Sequence, residues 1–587
     1  MTSSHTPRVT IQSNAVSLII SLFKNGWKRI SKKGQIALIL FITVEIIAVA
    51  LDGTGLLLIS RASITFTGGN QPGNTSGLIT PMCWGMGLLV LKGVFTVAIT
   101  YRTYEILVLE ETRIASENYK KLLSKNFDKI RNEPYSSYFD VVQQAPQVLV
   151  HTVVLNSISI SVAILNLLVI IILIGKLSVS VAVSTLVFFT VLGLVQNIFI
   201  SKKSHALGEY RTESTANVQN TLSIGHSFSK IFRVMPSQTY EIFLRDQRIH
   251  TGYALAKTKF IQLIPRVTLE IGLALGAVIV FIVSRVTGES DHTFQNIILF
   301  VIAGFRIIPI LSQVQSLVAT TLNEIPYVQK EKLILGDSSK NVTTTSRSSG
   351  FNSGNIDMVL ELSNVSYKYE TAQQAALEKL NIRFNRGLIY AITGPPGAGK
   401  STLMDICLNL ISPSDGEIIY GGGSPPVIGY VPQSTDLFEG TIINNIAIEW
   451  LEDAVNQEKI DDLLLQMSNF SLLNSFIDDS DDATQLSGGQ KQIICLLRAL
   501  YRDPDLLLLD EATSSLDNEA EQYLNQLLQI EKQSRCVVLI AHRLSSIRNS
   551  DQVVYMNRGK IICIGTFEEV KSKVPEFEQL VRLGDTN

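Results

Sequence analysis

Gly394-Pro395-Pro396-Gly397-Ala398-Gly399-Lys400-Ser401-Thr402 has the residue types and spacing of a phosphate-binding loop, G-x-x-x-x-G-K-[ST]. Its glycines let backbone N–H groups turn inward around phosphate oxygens, and the start of a following helix adds partial positive charge. Lys400 can then reach the β- and γ-phosphates, and Ser401 can ligate magnesium. A second pair of groups, Asp510 and Glu511, ends the apolar run Leu506-Leu507-Leu508-Leu509. Asp510 is placed to hold magnesium through water, and Glu511 to orient or polarise an attacking water. Either stretch alone could be a Gly-rich turn or a core strand ending at the surface. Together they make two halves of a site for phosphoryl transfer to water.

That chemistry needs a strand–loop–helix frame. Leu388-Ile389-Tyr390-Ala391-Ile392 reads as a buried strand, and Leu403-Met404-Asp405-Ile406-Cys407-Leu408 as the helix that follows the loop. Upstream, Val359–Leu362 and Val365–Tyr369 alternate like two strands. Between the two halves lies Leu486-Ser487-Gly488-Gly489-Gln490, whose glycines permit close backbone approach and whose Ser487 can donate to a phosphate at a helix start.

The 587 residues imply several domains. The net charge of -2 offers no general attraction to nucleic acid. A mean hydropathy of +0.24 hides a split, with long apolar runs in the first half and ordinary globular composition in the second. Six runs are long enough to cross a bilayer: about 36–59, 78–101, 149–174, 177–200, 260–283 and 294–317. Lys24 to Lys33, Lys120 to Arg131, and Lys202, Lys203 and Arg211 all fall on one side of these spans. That side is the cytoplasm by the positive-inside rule. Val16–Phe23 reads as an amphipathic segment at the membrane surface. The turns near Asn132–Tyr135 and Thr221–Gly225 are expected to contact a cytoplasmic domain. Residues 336–355, rich in Ser, Thr, Asn and Gly, read as a linker. The expected architecture is a six-helix all-α transmembrane domain (1–335), then an α/β P-loop nucleotide-binding domain (356–587). The five scattered cysteines supply neither a disulfide frame nor a zinc site.

The pentapeptide Leu486–Gln490 is the signature of ATP-binding cassette proteins, and almost the whole chain resembles them. Tyr430-Val431-Pro432-Gln433 looks like the glutamine loop, Ser515-Leu516-Asp517 like the loop after the catalytic acid, and Ala541-His542-Arg543 like the switch histidine. Tyr369 matches the aromatic residue that stacks on adenine. The membrane-first order with six spans resembles the exporter type. The resemblance implies two cassettes packed head to tail with two ATP molecules between them. Each ATP, with Mg2+, would touch Lys400, Ser401, Thr402, Gln433, Asp510, Glu511 and His542 of one subunit. It would touch Ser487 and Gly489 of the other, with Asp517 also at the nucleotide. Gln433 joins Ser401 and Asp510 as a metal ligand and joins Glu511 and His542 as a catalytic group. One cassette per chain implies a dimer, most simply a homodimer, in the cytoplasmic membrane. Two departures stand out. Asp478–Gln485 is acidic and short where exporters carry a Gly-Glu-Arg-Gly-like stretch, and Ile493 replaces a common arginine.

The cassette does not report cargo. Arg266, Arg306 and Lys92 lie within the spans, either to bind an anionic substrate group or to form structural ion pairs. Arg266 and Glu270 have i,i+4 spacing and can pair. Pro265-Arg266-Val267-Thr268-Leu269-Glu270 and Phe305-Arg306-Ile307-Ile308-Pro309 resemble patterns of the lipid-linked oligosaccharide flippase branch, which moves polyprenyl-pyrophosphate-linked glycans outward. Arginines suit a pyrophosphate because a guanidinium forks onto its oxygens. The alternatives are an exporter of peptides, lipids or hydrophobic compounds, and an ATP-gated regulator or channel that does not pump. Intact Glu511 and His542 argue against the last.

Overall fold

In the computed structural model, residues 15–67, 76–125, 127–235, 238–286, 293–336, 357–369, 372–448, 455–466, 486–512, 516 and 518–584 are described. The chain forms two compact units. One is Met1–Lys125 with Lys129–Lys340, and the other is Asn341–Asn587 with Asn126–Asp128.

The first unit is helical throughout its described residues, as an apolar chain in lipid must be to satisfy its own N–H and C=O groups. In α1 (Ala15–Arg29), Ile19, Leu22 and Gly26 are buried while Ile20, Lys24 and Lys28 are exposed. Then come α2 (Lys32–Thr67), α3 (Ser76–Leu123), α4 (Phe127–Asn132) and α5 (Tyr135–Phe139). The backbone widens into π-helical turns at Asp140–Gln144 and Val148–Leu155, on either side of α6 (Ala145–Gln147). Pro146 lacks an N–H, so the regular i→i−4 ladder cannot run through it. The unit ends with α7 (Asn156–Leu177), α8 (Val179–Ser227), α9 (Ser229–Val234), α10 (Gln238–Val286) and α11 (Thr293–Gly336).

Among the described residues six helical stretches are long and apolar enough to cross a membrane. At 49 residues, α8 is about 70 Å long, more than twice the ~30 Å hydrocarbon layer. Thr221–Gly225, expected as a turn, continue this helix, and the break falls at Phe228. The helix α11 likewise takes in Gly336, the first residue of the expected linker, and residues 337–355 lie outside the described set.

Glycines set the closest helix crossings. A Cβ on Gly208 of α8 would collide with the Asn323 carbonyl of α11, and one on Gly304 of α11 with Leu273 of α10. A buried polar knot ties distant segments together. Arg29 Nη1 donates to Glu331 Oε1 at 2.7 Å, and Arg29 Nη2 to Asn118 Oδ1 at 2.8 Å. Asn118 Nδ2 donates to the same Glu331 oxygen at 2.8 Å and to the Val141 carbonyl at 2.9 Å. Beside it Lys330 Nζ meets Asp140 Oδ2 at 2.6 Å. Helices α1, α3 and α11 and the first π-helical turn are thereby joined through charged groups.

The second unit is a two-sheet α/β structure. An antiparallel sheet orders its strands β2-β1-β4: β1 (Met358–Tyr367), β2 (Leu377–Asn385) and β4 (Asp415–Tyr420). The two short strands expected before the phosphate loop are one strand, β1, with a register shift between Leu362 and Val365. The larger sheet runs β5-β6-β7-β3-β8-β9. It comprises β3 (Ile389–Thr393), β5 (Ile428–Val431), β6 (Leu506–Asp510), β7 (Cys536–Ile540), β8 (Gln552–Asn557) and β9 (Lys560–Gly565). All its pairings are parallel except β8 with β9. The helices are α12 (Lys400–Cys407), α13 (Ile442–Ala447), α14 (Gln457–Gln466), α15 (Gly488–Tyr501), α16 (Asn518–Glu531), α17 (Leu544–Arg548), α18 (Phe567–Lys573) and α19 (Pro575–Gly584).

Both faces of this sheet are covered, which explains the uninterrupted apolar strands. Leu507 and Leu509 turn toward α15 and α16. Leu506 and Leu508 turn toward α12 and the antiparallel sheet.

Candidate nucleotide site

The four neighbouring strands β5, β6, β7 and β3 are parallel and in level register, so their carboxyl ends lie together. Loops leaving those ends are where open α/β sheets bind ligands. From β3 comes the phosphate loop, from β6 Asp510 and Glu511, from β7 His542, and from β5 Gln433.

Backbone geometry explains the glycines. Gly394 has φ +149°, and a Cβ there would strike the Met556 carbonyl. Gly399, the N-cap of α12, has φ +96°. Its Cβ would lie 2.7 Å from the Ala376 carbonyl. Lys400 is buried, and its Nζ donates to the carbonyls of Gly394 at 2.8 Å and Pro395 at 3.2 Å. Burial lowers its pKa, opposed by the charges of Glu511 and Asp510. Pro395, Pro396, Gly397 and Ser401 are exposed at the loop's outer surface, while Ala398 and Thr402 are buried beneath them.

The carboxylates differ in setting. Asp510 has its pKa raised, first by burial and then by Glu511. The Tyr430 hydroxyl hydrogen-bonds it, and burial together with that acidic neighbourhood pushes the tyrosine up to about 12. Glu511 sits at φ +50°, a left-handed conformation costly for a glutamate. Its carboxylate is bridged: Gln433 Nε2 donates to Oε2 at 2.8 Å, and His542 Nε2 lies 3.0 Å from Oε1. Gln433 and His542 thus both touch Glu511, one on each carboxylate oxygen.

Tyr369 packs edge-on against Tyr367, and its hydroxyl lies 3.0 Å from Thr402 Oγ1. Ser487 caps α15 in a capping box with Gln490 and is exposed, with Gly489 next to it half-buried. Among the described residues, no hydrogen bond or ion pair joins Ser487 or Gly489 to Lys400, Asp510, Glu511 or His542 of the same chain. Asp517 and the acidic stretch 478–485 lie outside the described residues. Ile493 is buried in the core beneath α15.

No group of three or more His, Cys, Asp or Glu side chains is arranged to hold a metal among the described residues. The oxygen donors that do lie at the sheet edge, Asp510 and the Ser401 hydroxyl, suit magnesium. That ion binds proteins through one or two carboxylates and takes its remaining ligands from phosphate and water. In the membrane unit Arg266 Nε donates to Glu270 Oε1 at 3.0 Å, and both side chains are exposed, as is Arg306.

Sequence reasoning missed two groups beside the site. Tyr430, which bonds Asp510, was passed over as part of a loop motif. Glu521, buried and bonded to Arg543, looks like an ordinary surface acid on α16. Only its place after the catalytic loop could have marked it.

Residues 377–514 match the protein family described as "ABC transporter". The chain is 28% identical over 380 residues to "ABC transporter B family member 14" of Arabidopsis thaliana, covering 60% of this chain and 30% of that protein. It is 35% identical over 241 residues to "ATP-dependent permease MDL1, mitochondrial" of Schizosaccharomyces pombe (38% and 33%). It is 31% identical over 243 residues to "ATP-dependent lipid A-core flippase" of Ralstonia nicotianae (38% and 40%). In each case the match spans well under half of the relative's own length. The solved structure of a bacterial Atm1-family ABC exporter superposes with a TM-score of 0.76 at 17% identity, covering 94% of this chain and 98% of that one. This chain therefore carries an ABC transporter domain behind a six-helix membrane unit, and has the fold of an ABC exporter.

Proposed function

We propose that this chain is one half of an ATP-driven exporter, that two copies close around two ATP molecules, and that the cargo is a lipid-linked anion flipped outward across the cytoplasmic membrane. The observation that carries the ATPase reading is the contact of Gln433, Glu511 and His542 at the edge where the phosphate loop begins. Lys400 leaves its own loop's carbonyls for the β- and γ-phosphates. Asp510 and Ser401 would hold Mg2+, which when bound would supply neutralising charge to the phosphate oxygens. Glu511 orients the attacking water, and His542 holds the Glu511 carboxylate in place. Ser487 and Gly489, which no hydrogen bond or ion pair joins to this edge among the described residues, close the site from a second copy.

The cargo reading rests on Arg266 and Arg306, both exposed on membrane helices. Arg266 is paired with Glu270, and a guanidinium can in addition fork onto the oxygens of a pyrophosphate carried by a lipid. Relatives named as lipid A-core flippases are consistent with a lipid cargo. Reconstitution in liposomes with a fluorescent polyprenyl-pyrophosphate sugar tests this. Leaflet-to-leaflet movement should require ATP and cease in Glu511→Gln, whereas movement of unrelated lipids alone rejects the cargo assignment.

A further inference from the structure

His542 meets Glu511, and its own side chain is half exposed. The residues that follow it are anchored far more firmly. Arg543, the N-cap of α17, sends Nη1 to Glu521 Oε2 and Nη2 to the Leu516 carbonyl at 3.1 Å. Ser545 Oγ donates to Glu521 Oε1, and Ser546 Oγ donates to the same oxygen at 3.3 Å. On the other side of His542, the Ala541 N–H donates to the Ile392 carbonyl at 3.1 Å.

One buried carboxylate, 5% exposed, thus gathers three of the four side chains that follow the histidine. A charge at that depth is tolerated only with its donors in place, so the loop has one favoured geometry. Arg543 also reaches across to Leu516, in the loop that leaves Glu511 for α16. The backbone behind the carboxylate and the backbone behind the imidazole are therefore tied to the same guanidinium.

We infer that Glu521 and Arg543 are positioning residues for ATP hydrolysis, setting His542 against Glu511. The inference rests on the ATPase reading above. The pair touches no reacting atom in this arrangement, so its effect reaches the chemistry through the histidine. Misplacement of a catalytic group by about 1 Å can cost up to a hundredfold in rate.

The test uses the full chain in lipid nanodiscs as wild type, Arg543→Ala, Arg543→Lys and Glu521→Gln. For each, kcat, KM, binding of a fluorescent ATP analogue and thermal unfolding are measured. Positioning predicts that Arg543→Ala lowers kcat about tenfold or more while KM and nucleotide affinity stay within about twofold. Arg543→Lys, which keeps the charge on Glu521 but loses the fork to Leu516, should recover part of the loss. Should Arg543→Ala fail to fold, Glu521→Gln keeps an acceptor for both serines and should show the same split between kcat and KM. An unchanged kcat overturns the inference. So does a parallel fall in kcat, nucleotide affinity and melting temperature, which would make the pair scaffolding. Wild-type turnover no faster than that of Glu511→Gln is a separate outcome that removes the ATPase reading and the positioning role with it.

Discussion

Gln433 and Glu511 are joined by a 2.8 Å hydrogen bond from amide to carboxylate, while His542 engages the carboxylate's other oxygen. Each oxygen of the carboxylate keeps a second lone pair, so Glu511 can still accept from a water while its two partners fix its orientation. Glu511→Gln keeps the shape and removes the base. Turnover should fall about a hundredfold or more while MgATP binding persists, checked by phosphate release beside equilibrium binding. Sustained hydrolysis would remove Glu511 from the mechanism.

Asp510 carries a stability cost. Burial first, and Glu511 second, hold its carboxyl above the ordinary 3.8. Between the unfolded and folded pKa values the folded protein binds the extra proton. This group's contribution is therefore fully present below 3.8 and is lost as pH rises through the raised value. Asp510→Asn should thus melt higher than the wild type at neutral pH. The gain should shrink as pH falls through the raised pKa. Magnesium-dependent ATP binding should weaken in the same variant. Calorimetry across pH 4 to 8, about the usual working range, reads the first effect. An equal or lower melting temperature at neutral pH contradicts it.

Gly394 tests the loop itself. Alanine there meets both the strained φ and the Met556 carbonyl. Gly394→Ala should destabilise the cassette by roughly 1–3 kcal/mol and reduce ATP affinity, followed by denaturant unfolding and nucleotide binding. Wild-type stability would mean that the β3–β8 edge relaxes more freely than its packing implies.

Arg266 and Arg306 separate cargo recognition from folding. The Arg266–Glu270 pair is an i,i+4 contact within α10. Arg306→Ala and Arg266→Ala should leave basal ATPase nearly intact and lower the cargo-stimulated increment several-fold, measured by titrating a polyprenyl pyrophosphate. Equal loss of both rates would return the arginines to a structural role.

The two-part architecture and the sheet edge were legible because each has a local signature. Apolar runs longer than a bilayer announced the six membrane helices. Gly394–Thr402, Leu486–Gln490 and Asp510-Glu511 are contiguous motifs whose spacing reports backbone shape. What escaped reading depends on contacts between residues far apart in sequence. Glu331, Asn118 and Asp140 look like surface polar residues until the helices that bury them are packed. Glu521 gives no sign that it will meet Arg543, 22 positions on. The turn expected at Thr221–Gly225 falls later, at Phe228, because a glycine such as Gly225 is tolerated within a helix as long as α8.

The knot of Arg29, Asn118 and Glu331 bears on the order in which the protein is made. Arg29 leaves the ribosome 302 residues before Glu331. At about 5–20 residues per second, that is an interval of roughly 15–60 s. During it α1 has no carboxylate to receive its guanidinium, although Asn118 and the π-helical turns emerge much earlier. The guanidinium of the first described helix thus completes its set of partners only when the last helix of the membrane unit is made, although the buried face of α1 can pack on Val148–Leu155 much earlier.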